Sequence, residues 1–94
     1  MPFPQQTPRL YSKAGIEAIA PDQMGCYGIL SGSAMVYIGK GDIRGRMLDH
    51  LNGDNVRIAR CSPTTWVSVV TSNMDRLEKD LIREYDPACN RRVG

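Results

Sequence analysis

The residue in this sequence most in need of a chemical explanation is Glu78. From Met74 to Tyr85 the chain reads as a helix in which Met74, Leu77, Leu81 and Tyr85 fall on one apolar stripe, given about 100° per residue. Glu78 projects into that stripe, whereas Arg76, Lys79, Asp80 and Arg83 point to the far side as surface charges do. A carboxylate turned inward is costly unless it is paired, protonated or bound to a metal. Two readings stand: an ion pair with one of the arginines, or a ligand for a hard divalent ion, which takes oxygen donors and keeps most of its own waters. One carboxylate is enough for the second when phosphate oxygens complete the shell.

Three further patterns accompany it. Arg46 and His50 lie four residues apart, on one face of a helix. Arginine holds a phosphate in a fixed orientation, and histidine moves protons near neutral pH. His50 is the sole histidine and reads equally well as an ordinary surface residue. Tyr27 and Tyr37 are expected at corresponding places on two paired strands, facing one cleft, although strands favour tyrosine for packing alone. Gly39 and Gly41 flank Lys40 and leave room for a backbone or a phosphate, but the Walker phosphate-loop pattern is absent.

The elements that must position these groups follow from local pattern. Met1 to Pro8 contains Pro2, Pro4 and Pro8 and reads as an extended, poorly packed tail. Ser12 caps a short helix reaching Ala20, with Ile16 and Ile19 on one side and Pro21 as its stop. Two β-type runs, Cys26 to Leu30 and Met35 to Gly39, are joined by Ser31-Gly32-Ser33-Ala34 as a hairpin. Asp42 can cap a helix running to about Asn52 that buries Ile43, Met47, Leu48 and Leu51. Val56 to Thr64 follows no clear period and reads as loop or a short helical turn. Thr65 to Thr71 is rich in β-branched residues and predicts a third strand. Ser72 or Asn73 then caps the last helix, which Asp86-Pro87 ends. The fold class expected is α+β: a small, mostly antiparallel three-stranded sheet flanked by helices, with residues 1–11 as tail and 12–94 as one domain.

Composition narrows the partners. Ninety-four residues support one core, and 41% apolar with 23% charged residues is ordinary for a globular protein. A formal charge of +2 tolerates a polyanionic partner but lacks the strongly basic signature of a DNA-coating protein. Basic residues cluster locally: Lys40, Arg44 and Arg46; Arg57 and Arg60; Arg83, Arg91 and Arg92. Each cluster alone usually means no more than a solvated face. Cys26, Cys61 and Cys89 are odd in number and widely spaced, which suggests reduced thiols in a cytoplasmic protein rather than a disulfide framework or a zinc motif. No apolar run approaches the roughly 20 residues of a membrane span.

Taken together, the motifs resemble a known family. Gly25-Cys26-Tyr27, followed ten residues later by Tyr37-Ile38-Gly39, is similar to the paired tripeptides that name the GIY-YIG nucleases. Arg46-x-x-x-His50 looks like that family's helical Arg and His. Glu78, followed by Pro87-Ala88-Cys89-Asn90, looks like its metal-binding Glu and closing P-x-x-N element. The resemblance runs from Gly25 to Asn90, with Cys26 standing where isoleucine or valine is usual.

The resemblance implies an endonuclease that cleaves nucleic acid, DNA first, with one Mg²⁺ or Mn²⁺ ion held by Glu78. Arg46 would stabilise the transition state, Tyr27 (or Tyr37) would deprotonate the attacking water, and His50 would accept or orient that proton. Lys40 and Asn90 would support the site, and Lys40, Arg44, Arg57 and Arg60 would meet nucleic acid. The alternatives are a module that keeps the fold and binds without cutting, and an interaction domain in which Glu78 pairs with Arg46. As a minimal stand-alone domain the chain is expected to show weak sequence preference, or to take specificity from a homo-oligomer or protein partner. Repair, mobile-element and defence roles all stay open.

Overall fold

The computed structural model describes residues 3–90 of the chain; Arg91 and Arg92 lie outside the described residues. In chain order the elements are β1 (Arg9–Leu10), α1 (Lys13–Glu17), β2 (Met24–Ser31), β3 (Ala34–Asp42), α2 (Ile43–Leu51), α3 (Val56–Arg60), β4 (Thr65–Val70), α4 (Met74–Tyr85) and a 3-10 turn, Ala88–Asn90. The sheet is antiparallel throughout, in the order β1-β4-β2-β3. The three expected strands are present, and a fourth, the two-residue β1, extends them. Two residues carry no readable period. They are a strand by backbone pairing with β4, Arg9↔Trp66 and Leu10↔Thr65, and the Trp66 indole N–H also donates to the Leu10 carbonyl at 3.2 Å while Arg9 lies over its ring.

From Phe3 onward the N-terminal segment is consequently held, not loose as the prolines suggest. Gln6 acts as one more strand residue: its side-chain NH₂ donates to the Ser68 carbonyl at 2.8 Å, and its Oε1 accepts from the Ser68 N–H at 3.0 Å. Phe3 packs where Gly28 leaves space, since a Cβ at Gly28 would lie 2.8 Å from its ring. Proline excludes helix here but does not prevent extended docking.

The hairpin is longer than its apolar runs, because its ends pair through small and charged residues from Met24↔Asp42 to Ser31↔Ala34. Gly32, at φ +61°, supplies the left-handed turn. Between Ile29↔Tyr37 and Leu30↔Met35 the register slips, leaving Val36 as an extra residue in β3. This bulge lets Val36 and Tyr37 both join the apolar core on the α2 side. Beyond it alternation resumes, so Ile38 and Lys40 face α4.

Each face of the sheet carries its own core. Ile16, Ile19, Tyr27, Ile29, Ile43, Met47, Ile58 and Trp66 pack between the sheet and helices α1 to α3. Cys26, Ile38 and Leu81 pack between the sheet and α4. Asp42 sits at the start of α2 but makes no side-chain capping bond. Its carboxylate lies over Gly45, 2.6 Å from where a Cβ would stand, and its Oδ1 is buried without a hydrogen-bond partner. Helix α4 spans the predicted residues and ends on Asp86 in the left-handed conformation, φ 46°, with Pro87 buried behind it.

Candidate active site

Two walls meet around the open edge of β3, one from each face of the sheet. On the α2 face Tyr27 is almost wholly buried, and its ring crosses Gly39, its partner on β3; a Cβ there would come 2.3 Å from the Tyr27 hydroxyl. Glycine at 39 is therefore required by the phenol. Tyr27 and Tyr37 are not cross-strand partners as expected, since Tyr37 is opposite Ile29. They share a face two positions apart, with ring centroids 6.3 Å from each other.

The Tyr27 hydroxyl lies 2.7 Å from His50 Nε2, and His50 Nδ1 lies 2.8 Å from Asp54 Oδ1. A carboxylate accepts, so Nδ1 carries the imidazole proton and Nε2 is left as an acceptor; Tyr27 then donates to it. His50 is 3% exposed, which removes the reading of an ordinary surface histidine. Asp54 had no sequence signal beyond its place four residues after His50. It lies beyond the end of α2, where the turn through Gly53, at φ +91°, brings its carboxylate to the ring. Its other oxygen is 3.9 Å from Arg46 Nη1, which also meets Asp49 at 3.2 Å.

Burial pushes the Tyr27 phenol above its ordinary range, and Tyr37 adds to this, whereas Arg46 pulls the other way. Burial likewise raises Tyr37, where Arg46 opposes and Glu78 and Asp54 reinforce. The positive charge of Arg46 favours the phenolate of Tyr27. In this structure desolvation outweighs it.

On the α4 face, Lys40 stands opposite Cys26 and reaches over α4. Its ammonium hydrogen-bonds Asp75 and comes within 3.7 Å of Glu78 Oε1. Glu78 is at the rim of the apolar stripe and not in its middle, with 21% of its side chain exposed. Its ion-pair partner among the described residues is this lysine, and Arg46 pairs with aspartates instead. Asp75, one turn before Glu78, is a partner that sequence did not single out. Its carboxyl is held below the usual range, first by the hydrogen bond from Lys40 and then by that residue's charge.

No group of three or more His, Cys, Asp or Glu side chains converges for a metal among the described residues. A closed protein cage is thus not the arrangement here. The residues fit a hard divalent ion bound by one carboxylate, because Glu78 is solvent-reachable and its lysine contact is longer than a hydrogen bond.

Asn90 closes the site from the far end of the chain. Its Oδ1 accepts from the Ile38 N–H at 2.8 Å and its NH₂ donates to the Ile38 carbonyl at 2.9 Å. This fixes the edge strand between Tyr37 and Gly39. Of the residues expected to meet nucleic acid, Lys40 belongs to the α4 wall, while Arg44 turns toward Glu17 on α1 at 4.0 Å. Arg57 and Arg60 are exposed on α3.

The fold has counterparts among solved structures. The chain has the fold of GIY-YIG endonuclease domains: an α+β layer with an antiparallel sheet covered by helices. It is similar to the N-terminal GIY-YIG endonuclease domain of UvrC from Thermotoga maritima bound to magnesium as its catalytic divalent cation, at 26% identity and TM-score 0.68, covering 81% of this chain and 96% of that one. A tyrosine-to-phenylalanine variant of that domain, also cation-bound, matches at 27% identity, TM-score 0.68 and 82% coverage of this chain. An asparagine-to-alanine variant matches at 26% identity. No protein-family model and no curated protein sequence matches the chain.

Proposed function

We propose that this protein is a metal-dependent endonuclease that hydrolyses phosphodiester bonds in DNA with one Mg²⁺ or Mn²⁺ ion, Tyr27 serving as the group that takes the water's proton. The observation that carries this reading is the hydrogen-bonded line Tyr27–His50–Asp54, running beside Arg46 at the β3 edge. The likeness to cation-bound endonuclease domains supports the same chemistry.

The line also resolves the difficulty of a buried tyrosine base. Tyr27 need not exist as phenolate: as its oxygen takes a proton from the attacking water, its own proton moves to His50 Nε2. Asp54 on Nδ1 then stabilises the imidazolium that forms. Arg46, whose guanidinium lies beside Tyr27, faces the charge that develops on the phosphate oxygens. Tyr37 positions the water or the phosphate, and Asn90 keeps Tyr37 and Gly39 in register. Glu78 would hold the ion, which when bound neutralises charge on the leaving oxygen. Lys40 supports that wall by holding Asp75 beside Glu78.

The test is a cleavage assay on supercoiled, branched and single-stranded DNA with Mg²⁺, Mn²⁺ or chelator, with Glu78→Ala as the control. Metal-dependent nicking that Glu78→Ala abolishes is expected. Binding in chelator with no cleavage in either metal would instead make the protein a binding module.

A further inference from the structure

The three cysteines look unrelated in sequence, but folding brings two of them together. Cys61 ends α3, Cys89 lies in the 3-10 turn, and their sulfurs are 2.8 Å apart although 28 positions separate them. The Cys89 thiol is also oriented by the Arg57 carbonyl of α3, at 3.3 Å. We propose that Cys61 and Cys89 form a redox modification site, a reduced dithiol that a small external disulfide converts into an internal disulfide bridging α3 to the turn that carries Asn90.

Access and order of attack follow from burial. Cys61 is partly exposed and Cys89 is buried, so Cys61 meets the reagent first. Its thiolate attacks one sulfur of the external disulfide and releases the other as a thiol, leaving a mixed disulfide. The Cys89 sulfur then attacks Cys61, expels the second external thiol and gives up its proton to it. The protein loses two hydrogens, and one external disulfide becomes two thiols. Burial pushes the Cys89 thiol up to about 12, with the hydrogen bond and charge of Cys61 adding to this. Once Cys61 is in the mixed disulfide both of those added causes are gone, which eases the second step. Cys26 is on the other face of the sheet, its thiol on the Met74 carbonyl at 3.4 Å, and serves as an internal bystander.

The consequence falls on Asn90, the residue after Cys89, which clamps β3 at Ile38. In the oxidised form the clamp is covalently tied to α3. This inference is independent of the nuclease reading, and its test needs no activity. The full chain is incubated with oxidised glutathione, quenched in acid, denatured with N-ethylmaleimide and weighed intact. One maleimide adduct, at Cys26, with a peptide crosslink between Cys61 and Cys89, is expected. Thermal unfolding of the oxidised form should rise by at least about 5 °C over the reduced form, and Cys61→Ser should form no bridge. Three adducts, a glutathione retained on Cys61, a bridge that includes Cys26, or a bridged form that melts lower would each overturn the proposal.

Discussion

The two walls of the site are built on opposite economies of water. The α2 wall is dry at its inner end, where Tyr27 and His50 are buried and 2.7 Å apart, and it reaches solvent only at Asp54 and Arg46. The α4 wall is wet, with Lys40 and Asp75 exposed and Glu78 partly so. A proton relay needs fixed distances and defined tautomers, which burial enforces. An ion that keeps its own water shell needs a reachable carboxylate, which burial would deny. The difference teaches that the inward carboxylate and the polar helix face are not two halves of one buried cluster. In the proposed mechanism they serve separate steps, and they meet only around the edge of β3.

Breaking each wall in turn should separate those steps. The largest effect is expected from Glu78→Ala on the wet wall, a loss of nicking of about a thousandfold or more, comparable to removing a key charge stabiliser; extra Mn²⁺ should restore little of it. His50→Ala on the dry wall should cost roughly a hundred- to ten-thousandfold in kcat with KM for DNA little changed. If instead His50→Ala matched wild type, Tyr27 would not pass its proton to it. Asp54→Asn comes next, at roughly ten- to a hundredfold, with a shifted pH–rate profile because His50 loses the acceptor that fixes its tautomer. Asp75→Asn should be mildest, moving apparent metal affinity by a few-fold, since Lys40 is then free to turn to Glu78.

Alkaline stability sharpens the same contrast without an activity assay. Burial raises Tyr11, to about 12, and raises Tyr27 and Tyr37 as well. Unfolded phenols titrate near about 10. Above that pH the unfolded chain binds fewer protons than the folded one, so stability falls as pH rises from there through the folded values. Tyr27→Phe should flatten the high-pH limb of a denaturant-midpoint profile. An unchanged limb would mean that the dry wall is hydrated in solution. At the acid end, the depressed Asp75 acts in the opposite sense, and its contribution fades as pH falls.

Much of this was legible in the chain, in proportion to how local each cause is. Helix α4 was readable in its bounds, because its apolar period and the Asp86-Pro87 stop are encoded within it, but Asn73 at its start makes no side-chain capping bond. The hairpin was readable as a pair of strands but not in register, because the slip at Val36 follows from packing against both cores. α3 was half-read: Val56–Arg60 is too short for a helical period to show. β1 was missed because two residues carry no period and only their pairing with β4, more than 50 positions away, makes them a strand. Among site residues, Asp54 and Asp75 were missed for a shared reason, that a carboxylate on a loop or an exposed helix face looks like any other until its partner is in place.

The sequence by itself determined which groups would be available: a carboxylate beside an apolar stripe, an Arg and a His one turn apart, two strand tyrosines, and an Asn after the last helix. These follow from residue type and from periods of 2 and about 3.6 residues, which act over a few positions. Only the tertiary structure decided what each group does to its neighbour. It laid Tyr27 across Gly39 onto His50, locked His50 with Asp54, gave Glu78 a lysine instead of an arginine, hung Asn90 on Ile38, and set Cys61 against Cys89. Hydrogen bonds and burial act over a few ångströms of space, and in 94 residues those ångströms join positions that the sequence keeps far apart.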